Sequence, residues 1–265
     1  MTTARIEDRA AQYRRLLGDQ HQRQEGLRRG SAERIVGVLR EYVIPVSALD
    51  VGCGTGSFLA ALEGSGVTDL QGIEGPWIDP AMLCIAADRV GTWDLEKPFD
   101  LGRRYDLVVS MEVAEHLAPD RADGFVADLV RHGDVVLFSA AVPFQGGAGH
   151  VNERWPSCWA EKFAGHGFVP VDLFRPRLWE DTTVLWWLRQ NLLLYVHSRR
   201  LSSNPRLAAV YREGRGKMPL DVVHPVLLAQ YALRAESSAD PVQRVTSGQA
   251  GFSSAAGSAS KEGAI

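Results

Sequence analysis

Three glycines at alternate positions, directly after an apolar strand, constrain this chain more than any other feature. The stretch Leu49-Asp50-Val51-Gly52-Cys53-Gly54-Thr55-Gly56-Ser57 carries them, and Phe58, Leu59 and Leu62 follow at helical spacing. Glycine lets the backbone turn tightly and come close to a ligand. A helix starting at such a turn aims free N–H groups and the positive end of its dipole at whatever binds there. The spacing is G-x-G-x-G, whereas the dinucleotide fingerprint is G-x-G-x-x-G. No Gly-Lys-Ser/Thr follows, which disfavours a phosphate-gripping loop. Glu74 closes the next predicted strand, near the offset of about 20 residues at which an acid meets ribose hydroxyls.

Strands and helices alternate on both sides of this turn. Strands are expected over Ser47–Val51, Leu70–Glu74, Gly91–Asp94, Tyr105–Met111, Asp134–Ala140, Phe168–Phe174 and Leu192–His197. Between them, Asp79 and Pro80 predict a capped helix running to Arg89, a helix begins near Pro119 or Asp120, and Pro156–Ala164 forms another. Such alternation argues for a parallel sheet covered on both faces. Residues 1–30 are expected to form a helical cap. A helix over Met1–Gly18, with the stripe Ile6, Ala10, Tyr13 and Leu17, is expected to pack over the ligand as a lid, Asp19–Gly30 to be loop or weak helix, and Ser31 to cap the next helix. Residues 31–235 form the main domain, with terminal helices near Asn204–Arg212 and Asp221–Leu233. Residues 236–265 are rich in Ser, Ala and Gly and are expected to be disordered.

Composition narrows the function classes. The 265 residues carry a net charge of -3 with no block of Lys and Arg, so no nucleic-acid partner is expected. Arg outnumbers Lys by 25 to 4, a bias of GC-rich bacterial genomes. Cys53, Cys84 and Cys158 lie far apart with no CxxC pair, so neither a disulfide framework nor a zinc site is expected; no metal ligand is named, and a divalent-metal requirement is open. With its polar start no signal peptide is expected, and Arg189, Gln190 and Asn191 interrupt the most apolar stretch, Thr182–Val196. A cytoplasmic protein without membrane contact is expected.

The motifs resemble those of class I S-adenosylmethionine (SAM)-dependent methyltransferases. Asp50-Val51-Gly52-Cys53-Gly54-Thr55-Gly56 is nearly the family's first motif. Glu74, with Gly75 beside it, matches the acid that holds ribose. Asp94, with Leu95 beside it, matches the acid that meets the adenine amino group. Tyr105-Asp106-Leu107-Val108-Val109-Ser110-Met111-Glu112-Val113-Ala114-Glu115-His116-Leu117 resembles the fourth strand and the loop after it. The resemblance spans about residues 32 to 200. It implies SAM as cofactor, a small-molecule acceptor, and a Rossmann-like α/β three-layer sandwich. Its seven-stranded sheet would be mostly parallel, with an antiparallel last strand. The segment Pro143–Trp155, with Arg175-Pro176 and Asn191–Leu194, is similar to bacterial methyltransferases of glycan and natural-product pathways, which points to a sugar hydroxyl. A homodimer is open. So are other uses of the fold: SAM as a structural ligand for another reaction, nitrogen or carbon methylation, or a silent SAM-binding subunit.

The chemistry then needs a base for an alcohol, and imidazole suits neutral pH. His116 follows the fourth strand, and His150 lies in a Gly-rich loop after the fifth, at the sheet edge where ligands bind. Either is the candidate base, or else a group that shapes the pocket by bonding backbone. The sharper expectation is His150, with Asn152 or Glu153 orienting it. Met111 is expected at the cofactor, and Glu112, Gln145, Asn152, Glu153 and Trp155 at the acceptor. Trp155, Trp159, Trp179, Trp186 and Trp187 together offer the lining of a substrate pocket, but core or subunit contacts are the favoured expectation for the group.

Overall fold

A computed structural model of the chain describes residues 21–214 and 219–238. Its sheet has seven strands: β1 (Ser47–Val51), β2 (Asp69–Glu74), β3 (Val90–Thr92), β4 (Leu107–Met111), β5 (Val135–Ser139), β6 (Phe168–Val171) and β7 (Leu193–His197). Their order is β3-β2-β1-β4-β5-β7-β6. The first five pair in parallel, and β7 runs antiparallel to both β5 and β6. Every residue of β5 is buried, as four of five are in β4 and β7. Runs of this kind suit strands covered on both faces.

Helices supply the covers. On one face α1 (His21–Arg40) and α2 (Ser57–Gly64) set Ile35, Leu39, Phe58 and Leu62 against Val109, Leu137 and Leu194. On the other, α3 (Ala122–His132) and α4 (Pro156–Ala164) set Phe125, Leu129, Trp159 and Phe163 against Val136, Phe138 and Tyr195. Phe163 stacks on Tyr195 with ring centroids 3.9 Å apart, a geometry worth about 0.5–1.5 kcal/mol beyond burial. The expected three-layer α/β sandwich with an antiparallel last strand is therefore the fold. Strand order reverses between β1 and β4, so their carboxyl ends open a crevice at the switch point.

The remaining helices of this unit are α5 (Arg175–Leu178), α6 (Trp186–Asn191), α7 (Ser198–Ser202) and α8 (Pro205–Gly214). A second unit begins at Pro225, and its described part is one helix, α9 (Pro225–Ser238). No helix among the described residues is long and apolar enough to cross a membrane.

Several local expectations change. Ser31 does not cap a helix: α1 runs through it, and its buried Oγ accepts the Leu185 N–H at 2.9 Å. The segment expected as loop or weak helix is helical from His21 onward. Asp79 does cap, accepting Ala81 N–H at 2.9 Å, but its helix is only the 3-10 turn Pro80–Met82. Beyond it, Cys84 N–H bonds Thr55 O at 2.8 Å, which draws the chain onto the glycine turn instead of into a helical ladder. The sixth strand stops at Val171, and Asp172 turns to Arg175. The predicted lid helix, Met1–Gly18, lies outside the described residues, as does the tail beyond Ser238. Within the expected tail, α9 continues through Glu236–Ser238.

Candidate active site

The glycine turn hangs from the neighbouring strand. Gly52 and Cys53 both donate to Ile73 O, at 2.8 and 3.2 Å. Gly52 sits at φ 78°, and a Cβ there would lie 2.5 Å from Val113 Cγ2, so no other residue fits. Gly54 also has positive φ, 55°, but a Cβ there would meet nothing within 4 Å. That open space adjoins Glu74. Buried Glu74 accepts Gly54 N–H and Gly75 N–H, both at 2.7 Å, and the Trp77 indole N–H at 3.0 Å. Burial pushes the Glu74 carboxyl up, and these three donors pull it back. Gly75 leaves room for the Trp77 ring, which would lie 2.0 Å from a Cβ.

The other cofactor candidates surround this cradle. Burial, then the charge of Glu74, push Asp50 up to about 8. Cys53 is buried against Gly72, and burial pushes its thiol up, so it is a packing residue. Thr55 Oγ1 and Ser57 Oγ share a hydrogen bond of 3.0 Å. Asp94 accepts Glu96 N–H at 3.2 Å, just past β3, with Leu95 buried behind it. Met111 ends β4, half-buried.

Two loops meet over the carboxyl ends of β4 and β5. Glu112 adopts φ 56°, a conformation that costs a residue other than glycine about 1–3 kcal/mol and marks sites built for a purpose. Its carboxylate accepts Gln145 Nε2 at 3.1 Å and Asn191 Nδ2 at 3.2 Å. Gln145 Oε1 in turn accepts Val142 N–H and Asn191 Nδ2. Gln145, expected at the acceptor, is thus turned inward and buried. Asn152 is likewise buried, giving Nδ2 to Ala114 O at 3.2 Å and accepting Arg154 Nε at 2.6 Å. These two pin the loops.

Glu153 ties the Gly-rich loop together. It accepts Phe144 N–H, Gly146 N–H and His150 Nδ1–H, each at 2.8 Å. Val151 and Asn152 N–H both bond Glu115 O, clipping this loop to the one after β4. The His116 and His150 rings therefore meet edge-on, centroids 4.8 Å apart. Trp155 is half-buried, and its carbonyl starts α4 by accepting Cys158 N–H. Phe144 and Val151 are exposed on either side of His150 along the loop. Sequence reasoning gave no role to Trp77, Gln190 or Glu115. Gln190 bridges Asn191 and His224 N–H, and Glu115 is fully buried beside Glu112.

Comparison with known proteins gives a family. A family model described as "Methyltransferase domain" matches residues 7–179. No curated protein matches the sequence. Magnesium protoporphyrin IX methyltransferase from Synechocystis PCC 6803, with SAH bound, is 17% identical, with a TM-score of 0.49 over 70% of this chain and 93% of that one. A sugar N-methyltransferase from Streptoalloteichus sp ATCC 53650 is 20% identical, with a TM-score of 0.46 over 63% and 87%. An amino pentose methyltransferase from Micromonospora echinaspora is 18% identical, with a TM-score of 0.43 over 63% and 88%.

Proposed function

Because this chain belongs to the methyltransferase domain family and is a SAM-dependent methyltransferase, we propose that it methylates a hydroxyl oxygen of a small molecule, and that His150 activates that hydroxyl. The observation carrying this reading is the His150 Nδ1 to Glu153 Oε1 bond of 2.8 Å, at the edge of the crevice. A carboxylate on Nδ1 fixes the ring and its tautomer, and stabilises the imidazolium that forms when the ring takes the alcohol proton.

The cofactor fits the residues present. The empty space at the Gly54 Cβ position lies beside a buried carboxylate suited to a pair of hydroxyls. In this reading Asp50 and the Gly52–Gly56 turn hold the donor's amino-acid end, Glu74 its ribose, and Asp94 and Leu95 its adenine, with Met111 near the sulfur. When bound, SAM supplies an electrophilic methyl on a sulfonium. The protein's part is to align the acceptor oxygen with it and exclude water. Phe144 and Val151 are exposed in the loop that carries His150, which suits a hydroxyl set on an otherwise apolar body, such as a glycosylated natural product. A cytoplasmic setting belongs to the same reading.

Steady-state turnover of His150→Ala and His116→Ala tests it. His150→Ala is expected to lower kcat by about 10²–10⁴, the usual share of acid–base catalysis, with SAM affinity nearly unchanged. A silent His150→Ala beside a crippled His116→Ala would exchange their roles. Two silent variants would point to an amine or carbon acceptor and defeat the reading.

A further inference from the structure

Two carboxylates meet at the end of β4, and the deeper of them faces no positive charge. Glu115 is fully buried; its oxygens lie by the Ala141 N–H and the Glu112 carboxyl but complete no hydrogen bond of ordinary geometry among the described residues. Its neighbour Glu112 is bonded by the amides of Gln145 and Asn191, which carry no charge. A buried carboxyl that faces no positive charge costs several kcal/mol unless a proton or a cation neutralises it. A shared proton would settle the charge alone. A cation also accounts for what surrounds it.

Glu115, His116 and His150 each offer one ligand atom, all within 4.8 Å of one another. Nitrogen and oxygen ligands about 2.0–2.2 Å from one ion lie at most about 4.4 Å apart, so small shifts close this set. His150 is steadied through Nδ1 by Glu153, the carboxylate support that metal-bound histidines keep. The loop clip from Val151 and Asn152 to Glu115 O holds the two loops together around the cluster. Two imidazoles with one carboxylate suit a divalent first-row transition metal better than magnesium or calcium, which take oxygen ligands.

We propose that Glu115, His116 and His150 bind one divalent first-row transition-metal ion at the acceptor side of the crevice. The binding itself does not depend on the acceptor; its consequence rests on the hydroxyl reading above. An ion here lowers the pKa of a coordinated hydroxyl, as it does that of water. The O–H bond then breaks with its proton passing to solvent, and the O–CH3 bond forms. The methyl–sulfur pair returns to sulfur, leaving a neutral thioether. His150 activates the hydroxyl in either state: as a base when free, and as a ligand that seats the Lewis acid when the ion is bound.

The test uses full-length protein stripped with chelator, without SAM or acceptor. Zinc, manganese and cobalt chlorides are titrated by calorimetry, and bound cobalt is followed by its visible absorption. One ion per chain is expected for at least one metal. Glu115→Gln and His116→Gln should each weaken it at least tenfold, and Glu153→Gln by about 10–100-fold, the usual effect of an outer-shell partner. Should Glu115→Gln fail to melt cooperatively, the half-buried His116→Gln stands in for it. Absence of saturable binding overturns the site, as does binding that His116→Gln leaves unchanged. Either result leaves free His150 as base, so the proposed function is judged separately by the turnover of His150→Ala.

Discussion

Removing the Glu74 carboxylate should damage SAM affinity and the empty protein together. The carboxylate accepts three hydrogen bonds, from Gly54, Gly75 and Trp77. Bonds to a charged group are each worth about 1.5–3 kcal/mol net. In Glu74→Ala, water can replace the acceptor at half-exposed Gly54 but not at buried Gly75. Relief of the burial that raises the Glu74 pKa offsets part of this loss. One orphaned donor then dominates, and stability falls by about 1–3 kcal/mol, or about 2–4 °C per kcal/mol for a chain of this size. Loss of the proposed ribose contact should remove about 1.5–3 kcal/mol more from binding, which would raise the SAM Kd roughly 10- to 150-fold. Calorimetry with SAM and its 2′-deoxy analogue, beside thermal melts without ligand, reads both effects. Wild type should discriminate the two ligands and Glu74→Ala should not. A variant with SAM affinity within about twofold of wild type would refute the reasoning, since a charge-assisted contact cannot vanish so cheaply.

Other consequences follow from neighbouring residues. Gly52→Ala drives a Cβ into Val113 and should lower the melting temperature before any ligand is added. Gly54→Ala meets no atom, so it should cost only the strain of its φ of 55° and act chiefly on SAM binding; a larger stability loss at Gly54 than at Gly52 would contradict the separate roles. Asp50, raised to about 8 by burial and then by Glu74, binds its proton more tightly folded than unfolded. Its contribution to stability is full below the ordinary carboxylate range and is lost progressively as pH climbs to about 8, so Asp50→Asn should flatten the fall in melting temperature from about pH 4 to about pH 8. An unchanged profile would remove Asp50 as the cause. Arg175 is fully buried on Asp172 and on the Pro219 and Leu220 carbonyls. Arg175→Met should cost about 3–5 kcal/mol in urea unfolding, and a loss under about 1 kcal/mol would show the pair to be dispensable.

The sequence made the frame legible where a residue type has only one physical use. Alternate glycines at 52, 54 and 56, and the apolar runs Leu107–Val109 in β4 and Val135–Phe138 in β5, name a turn and two central strands without tertiary information. Local signals failed where distant atoms supply the partner. Ser31 reads as a cap because the Leu185 N–H that it accepts lies 154 residues away. The helix expected after Asp79 is lost because Thr55 O takes the Cys84 N–H. At the site, the crowding of His, Asn and Glu after β5 marked the loop that Val151 and Asn152 clip to the one after β4. It could not tell that Asn152 and Gln145 turn inward while His150 meets His116. Glu115 stood in the motif beside His116, but nothing in the spacing told that both its oxygens would be buried without a hydrogen bond of ordinary geometry.

The central claim is methyl transfer to a hydroxyl oxygen, and the site of the label tests it most directly. Full-length enzyme would be incubated with methyl-labelled SAM and a small-molecule extract. Labelled products would be found by mass spectrometry and the methyl's neighbour atom assigned by NMR. A labelled methyl on oxygen is predicted, with its yield collapsing in His150→Ala. A label on nitrogen or carbon would contradict the account, as would SAM that binds at the glycine turn yet labels nothing in extracts of its own host.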